Sequence, residues 1–162
     1  MSAPKRKKSI VVAVSGGFDP VHIGHVRLFN EAKKFGDELV VILNNDHWLL
    51  QKKGFVFMNE RERKEILQSF SAVDAVIVTA HKRSDPDRSI CRELRALKPD
   101  IFANGGDRDK SDAKKKHSSL NQEVALCKRL GIRMVFNVGK GGKVRSSSEL
   151  VNRFRQTVTK TL

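Results

Sequence analysis

At 162 residues with 39% hydrophobic content, the chain is long enough to bury a full core without disulfide staples, and it reads as one soluble globular domain. The 32 Lys and Arg against 18 Asp and Glu leave a net charge of +14, a field that attracts polyanions such as nucleotides, phosphorylated metabolites, nucleic acid or an acidic membrane. No window approaches a membrane-spanning length of about 18 apolar residues, and the N-terminus lacks a signal-peptide apolar core, so a cytoplasmic protein is expected.

Residues 1–8 form a basic tail carrying Lys5, Arg6, Lys7 and Lys8, and residues 9–162 form the domain. Residues 10–14 (Ile10, Val11, Val12, Ala13, Val14) are continuous and β-branched and stop at glycines, the pattern of a buried parallel strand. Val26, Leu28, Phe29, Ala32 and Phe35 then recur with helical spacing from about residue 26, with Gly36 as the expected C-cap. Residues 39–43 make a second buried strand. Residues 47–58 read as a short helix and a loop. Asn59 is a plausible N-cap for a helix to about residue 70, with Glu60 and Glu62 in its first turn.

Residues 73–78 are the third strand. Asp85 as N-cap and Pro86 at the first helical position open another helix, whose buried stripe is Ile90, Leu94 and Leu97 and which Pro99 ends. Residues 100–103 are the fourth strand, 107–117 a polar loop, 120–130 a helix closed by Gly131, and 132–138 the fifth strand. A final helix runs from Ser146 to about residue 158. Cys91 and Cys127 fall in helical patterns without metal-ligand spacing, which predicts reduced structural thiols.

This alternation predicts an α/β fold: a single Rossmann-like domain with a five-stranded parallel sheet and helices on both faces. Ligands in such folds sit beyond the carboxyl ends of the strands. The loops at those ends, residues 15–25, 44–58, 79–85, 104–118 and 139–147, hold nearly all of the unusual polar chemistry.

The first of them carries Gly16, Gly17, Phe18, Asp19, Pro20, Val21, His22, Ile23, Gly24 and His25 between a strand and a helix start. Backbone approaches closely there, and free N–H groups favour phosphate. His22 and His25 share a face on a first helical turn. No third metal ligand is obvious, and donation to phosphate oxygens suits two imidazoles better than metal ligation. Lys52 and Lys53 follow the second strand, and either is within reach of the same phosphate. Arg145 with Ser146, Ser147 and Ser148 at a helix start, behind a glycine-rich lead-in, is a second anion site. Gly105, Gly106 and Asp107 after the fourth strand offer a surface for a flat base, with Asp107 facing ribose, metal or a helix cap. With no nucleophile pattern and no P-loop signature, catalysis by positioning and charge neutralisation is expected.

The stretch from Gly16 to His25 resembles the signature of the HIGH-motif nucleotidyltransferase superfamily, in particular the cytidylyltransferase-like enzymes such as glycerol-3-phosphate cytidylyltransferase and heptose-1-phosphate adenylyltransferase. Asp46 and Lys52, the helix of Glu62, Arg63, Lys64 and Glu65, the stretch from Lys98 to Asp107, and Arg145 through Ser148 follow in register over residues 9–155. The resemblance implies transfer of a nucleoside monophosphate from a nucleoside triphosphate to a phosphorylated polyol or sugar, with pyrophosphate released and Mg²⁺ accompanying the nucleotide. It implies that His22, His25, Lys52 and Arg145 are catalytic. Gly16, Gly17, Phe18, Gly24, Gly105, Gly106, Asp107, Ser146, Ser147 and Ser148 would bind nucleotide, and Asp46 and Arg63 substrate. CTP is expected ahead of ATP, although the stretch Gly105 to Arg108 is more like the heptose enzymes. A homodimer is implied; nucleic acid and membrane partners are not expected. The alternatives are an ATP-using adenylyltransferase of the heptose type and, from another class, a basic nucleotide- or RNA-binding protein without turnover.

Overall fold

The computed structural model describes residues 8–105, 119–139 and 145–161. The elements are β1 (Val11–Gly16), α1 (Ile23–Lys33), β2 (Glu38–Leu43), α2 (Asp46–Lys53), α3 (Glu60–Gln68), β3 (Ala75–Val78), α4 (Cys91–Leu97), β4 (Ile101–Gly105), α5 (Ser119–Leu130), β5 (Arg133–Val138) and α6 (Ser147–Thr161). All strand pairings are parallel, in the order β3-β2-β1-β4-β5. The expected five-stranded Rossmann-like sheet is therefore present, and its order reverses at β1, between β2 and β4.

Side chains alternate across the sheet because successive Cβ atoms point to opposite faces. Val12 and Val14 of β1 pack with Leu39, Val41 and Leu43 of β2 against Leu28, Phe29 and Ala32 of α1 and Leu67 of α3. Ala13 and Ile42 face the other way, onto Ile90, Cys91 and Leu94 around α4 and Leu126 and Cys127 of α5. Helices thus cover both faces. Both cysteines are free and buried, and burial raises both thiols, Cys127 to about 12, so neither is a ready nucleophile.

Several boundaries differ from the sequence reading. α1 begins at Ile23 because His22 caps it, and its C-cap is Lys34, not Gly36. α4 starts only at Cys91: Asp85 takes the N–H of Asp87 and the guanidinium of Arg92 instead of capping a helix, so Pro86 lies in a turn. β4 runs on to Gly105, and α6 extends to Thr161. The basic tail's residues 1–7 and the whole 107–117 loop lie outside the described residues.

Candidate active site

The corner between β1 and α1 is built by close approach. Phe18 has a positive φ of 49°, the Asp19–Pro20 bond is cis, and His22 sits in extended backbone as the N-cap of α1. Nδ1 of His22 accepts the N–H of Gly24 at 3.1 Å, and Nδ1 of His25 accepts the N–H of His22 at 3.2 Å. Two histidines therefore perform the reciprocal capping that a Ser and a Glu usually perform. Gly24 has to be glycine, since a Cβ there would lie 2.9 Å from Cε1 of His22.

Each ring has Nδ1 committed as an acceptor, so its proton resides on Nε2. The rings stack with centroids 3.8 Å apart. Burial, followed by the charges of Lys53 and Arg145, lowers the His22 pKa. Burial, followed by His22 and Lys53, lowers that of His25 to about 3. Both imidazoles are therefore neutral Nε2–H donors near neutral pH. Because both Nδ1 atoms are occupied, the rings are poorly placed as a metal pair. Among the described residues no group of three His, Cys, Asp or Glu gathers to hold an ion.

Lys53, not Lys52, is the lysine at this corner. It is half-buried and its charge acts on both histidines, whereas Lys52 is exposed. Burial lowers the Lys53 pKa; Asp19 raises it in opposition, and Arg63 lowers it further. The helical spacing contains the reason. Leu49, one turn before Lys53, is buried against Gly17, so the same face of α2 carries Lys53 to the corner.

Arg63 and Phe18 are both buried. Arg63 is fully buried. Its Nε donates to Met58 O at 2.9 Å, Nη1 to Gly17 O at 2.6 Å and Asn44 O at 2.7 Å, and Nη2 to Asp46 Oδ1 at 2.6 Å. These bonds give Arg63, expected at the substrate, a structural role: they tie the loops after β1 and β2 to the start of α2. Asp46 is drawn into the same clamp and also donates its N–H to Glu60. Phe18, expected at the nucleotide, is 2% exposed and belongs to the core.

Asp19 is a residue the sequence reading passed over. It is fully buried and accepts the N–H groups of Phe57 and Met58, each at 2.7 Å. A carboxylate in the glycine corner after β1 was visible in the sequence; that both its oxygens would be taken by backbone was not.

At the start of α6, Ser147 is buried and its hydroxyl donates to Pro20 O at 2.8 Å, while the Ser146 hydroxyl accepts the N–H of Glu149 at 3.1 Å. Ser147 therefore anchors the helix, leaving Ser146, Ser148 and the exposed Arg145 on the outward side of this turn. The Ser147–Pro20 bond holds the start of α6 against the β1–α1 corner, where the charge of Arg145 contributes to the lowered His22 pKa. Gly105 ends β4 where a Cβ would meet Leu28 Cδ1 at 2.9 Å and Val138 O at 3.0 Å, so strand–helix packing accounts for that glycine. Gly16 and Gly17 lie in the corner, where a Cβ on them would meet Phe18 Cζ at 2.9 Å and Leu49 Cδ2 at 2.8 Å; Gly106 and Asp107 lie outside the described residues.

Comparison with known proteins agrees with this fold. The family model described as Cytidylyltransferase-like matches residues 13–153. An FAD synthase of Thermococcus sibiricus is 36% identical over 126 residues, covering 74% of this chain and 80% of its own length. The bifunctional protein HldE of Koribacter versatilis is 34% identical over 105 residues, covering 64% of this chain; the match spans only 20% of that relative's length. A lipopolysaccharide core biosynthesis protein from Thermoplasma volcanium superposes with a TM-score of 0.61 at 27% identity, over 82% of this chain and 98% of that one.

Proposed function

The chain belongs to the cytidylyltransferase-like family, and from that premise we propose that it transfers a nucleoside monophosphate from a nucleoside triphosphate to a phosphorylated small molecule, releasing pyrophosphate. The observation that carries this reading is the pair of neutral Nε2–H imidazoles beside Lys53 at a glycine corner. An oxygen of the acceptor phosphate bonds to the α-phosphorus, the bond from that phosphorus to the bridging oxygen breaks, and pyrophosphate leaves with the electron pair. Negative charge grows on the oxygens around phosphorus as this happens. Preorganised donors in a half-buried site stabilise that growth because they need not reorganise.

In this scheme His22 and His25 donate to the oxygens of the transferring group, and Lys53 takes the place expected of Lys52 at the α- or acceptor phosphate. Arg145, Ser146, Ser148 and the free N–H groups of the α6 first turn bind the β- and γ-phosphates. Gly106 and Asp107 remain the proposed edge of the base site. Mg²⁺ would be carried in by the polyphosphate, whose oxygens suit a hard cation, and would neutralise its charge.

ATP is the nucleotide we infer, because FAD, the product named by the FAD synthase relatives, contains an adenylyl group. CTP, which the glycerol-type resemblance favoured, is the second reading. The acceptor class is a sugar or polyol phosphate or a flavin mononucleotide. A cytoplasmic homodimer is part of the proposal, supported by the outward apolar Phe154 and Val158 of α6. No helix among the described residues is long and apolar enough to cross a membrane.

The test is pyrophosphate release from each of the four nucleoside triphosphates against a panel of sugar phosphates, polyol phosphates and flavin mononucleotide. The proposal expects release with ATP and one acceptor class. No release from any pairing, combined with steeply salt-dependent RNA binding, would favour the RNA-binding reading that the charge of +14 suggests.

A further inference from the structure

Phe18 occupies an unusual backbone position. A φ of 49° lies in the left-handed region that bulky L-residues rarely adopt, and such outliers persist where the surroundings over-determine them. The surroundings here do so. Gly16 makes room for the ring, since a Cβ on it would lie 2.9 Å from Cζ of Phe18 and 3.2 Å from Cε1 and Cε2. Phe29 leans on the ring at 5.3 Å between centroids, and Phe70 in turn leans on Phe29 at 5.5 Å. The row ends on His25: the Phe18 ring stands at 77° to the imidazole with centroids 4.9 Å apart.

His25 needs such a contact. Its Nδ1 takes one N–H at 3.2 Å, and a single hydrogen bond of that length fixes a point, not the plane of a ring. His22 covers one face of the imidazole at 3.8 Å but is itself a half-buried side chain. A perpendicular aromatic set in the core supplies the missing constraint, in the edge-to-face arrangement that ring quadrupoles favour.

We propose that Phe18 is a positioning residue for the transfer reaction: seated in the gap left by Gly16, its ring fixes the plane of the His25 imidazole so that Nε2–H keeps its aim at the oxygens of the transferring phosphoryl group. This deepens the function proposed above and rests on it for the chemistry alone. The orientation of His25 is a property of the free protein and can be read without any substrate.

The experiment is long-range ¹H–¹⁵N correlation of the histidine rings in the full chain, titrated with acid, with His25 assigned by its loss in His25→Asn. The groups acting on the ring are His22 from the α1 cap and Lys53 from α2. Wild type is expected to show His25 as a single Nε2–H tautomer with no titration near pH 6.5. Phe18→Leu, and Phe18→Met, which keeps more of the volume, are compared with Phe70→Leu, a control that opens the far end of the aromatic row, where the ring leans on Phe29. The Phe18 variants should mix the tautomers of His25 or return its titration toward the ordinary range, while Phe70→Leu should not. With the substrates found by the panel, Phe18→Leu should lower kcat by roughly 10- to 100-fold with little change in KM for the nucleoside triphosphate. A wild-type His25 that already mixes tautomers, or Phe18 variants whose His25 signals match wild type, would overturn the proposal. An altered His25 in the Phe18 variants, together with a wild type that releases no pyrophosphate in any pairing, would leave the positioning role standing and sink the reading of function instead.

Discussion

Nη2 of Arg63 lies 2.6 Å from Oδ1 of Asp46, and the guanidinium that makes this contact has no exposure to solvent. Its other donors reach Met58, Gly17 and Asn44, so one side chain joins three loops around the site. Arg63→Ala would leave buried carbonyls unpaired and should destabilise the fold by about 3–5 kcal/mol, read as a lowered denaturant midpoint at unchanged slope. Arg63→Lys cannot reproduce the fork and should restore less than half of that loss. A variant as stable as wild type would show that the clamp is dispensable.

Lys53 and Lys52 are adjacent in sequence and differ in what they face. Lys53→Ala should lower kcat by roughly 10²-fold, the loss of about 3 kcal/mol that follows removal of one preorganised donor. Lys52→Ala should remain within a few-fold of wild type. Lys53→Ala should also let His25 titrate at a higher pH, because one of the charges holding its pKa down is gone. Equal kinetic effects from the two substitutions would contradict the assignment.

The histidines set an acid limit on stability. The His25 pKa is lowered on folding to about 3 from an unfolded value of 6.5, so below pH 6.5 the unfolded chain binds more protons than the native one. Stability from this group is complete above pH 6.5 and is lost as the pH falls from there toward 3, by an amount on the order of a few kcal/mol. His22 acts with the same sign. Melting temperatures measured from pH 8 to pH 4 should fall more steeply for wild type than for His25→Asn, whose side chain cannot ionise. Parallel curves would show that His25 is not held neutral.

Ser147 fastens α6 to the corner through Pro20 O. Ser147→Ala loses one buried hydrogen bond, about 1 kcal/mol of stability, and should raise KM for the nucleoside triphosphate more than it lowers kcat. A fall in kcat alone would place this hydroxyl at the reacting phosphorus.

Most of the architecture was legible because its signals are local. The β-branched runs around Val12 and Val41 and the helical spacing through Leu28 and Phe29 lead to the sheet and its helices without knowledge of contacts. Helix starts were harder. The N-cap His22 is not among the residues that usually announce one, and Asp85 and Pro86 announce a start that the ion pair with Arg92 pre-empts. Site residues divide in the same way. His22 and His25 stand out by spacing. Lys53, Asp19 and the buried state of Arg63 depend on which neighbours the fold brings in from 38 to 46 residues away, as in the bonds Phe57–Asp19 and Arg63–Gly17, and no local pattern encodes those.

At the centre of the proposed mechanism, His25 supplies a neutral donor to the oxygens of the transferring phosphoryl group. The most direct test is pyrophosphate release by wild type and His25→Ala, with the nucleotide and acceptor found by the panel, measured under saturating substrate from pH 6 to pH 9. The account predicts a wild-type rate without an inflection near pH 6.5, and a loss of roughly 10²-fold or more in kcat for the variant with nucleotide still bound. A His25→Ala enzyme with an undiminished kcat, or a wild-type rate that falls away above pH 6.5 as an imidazolium would, contradicts it.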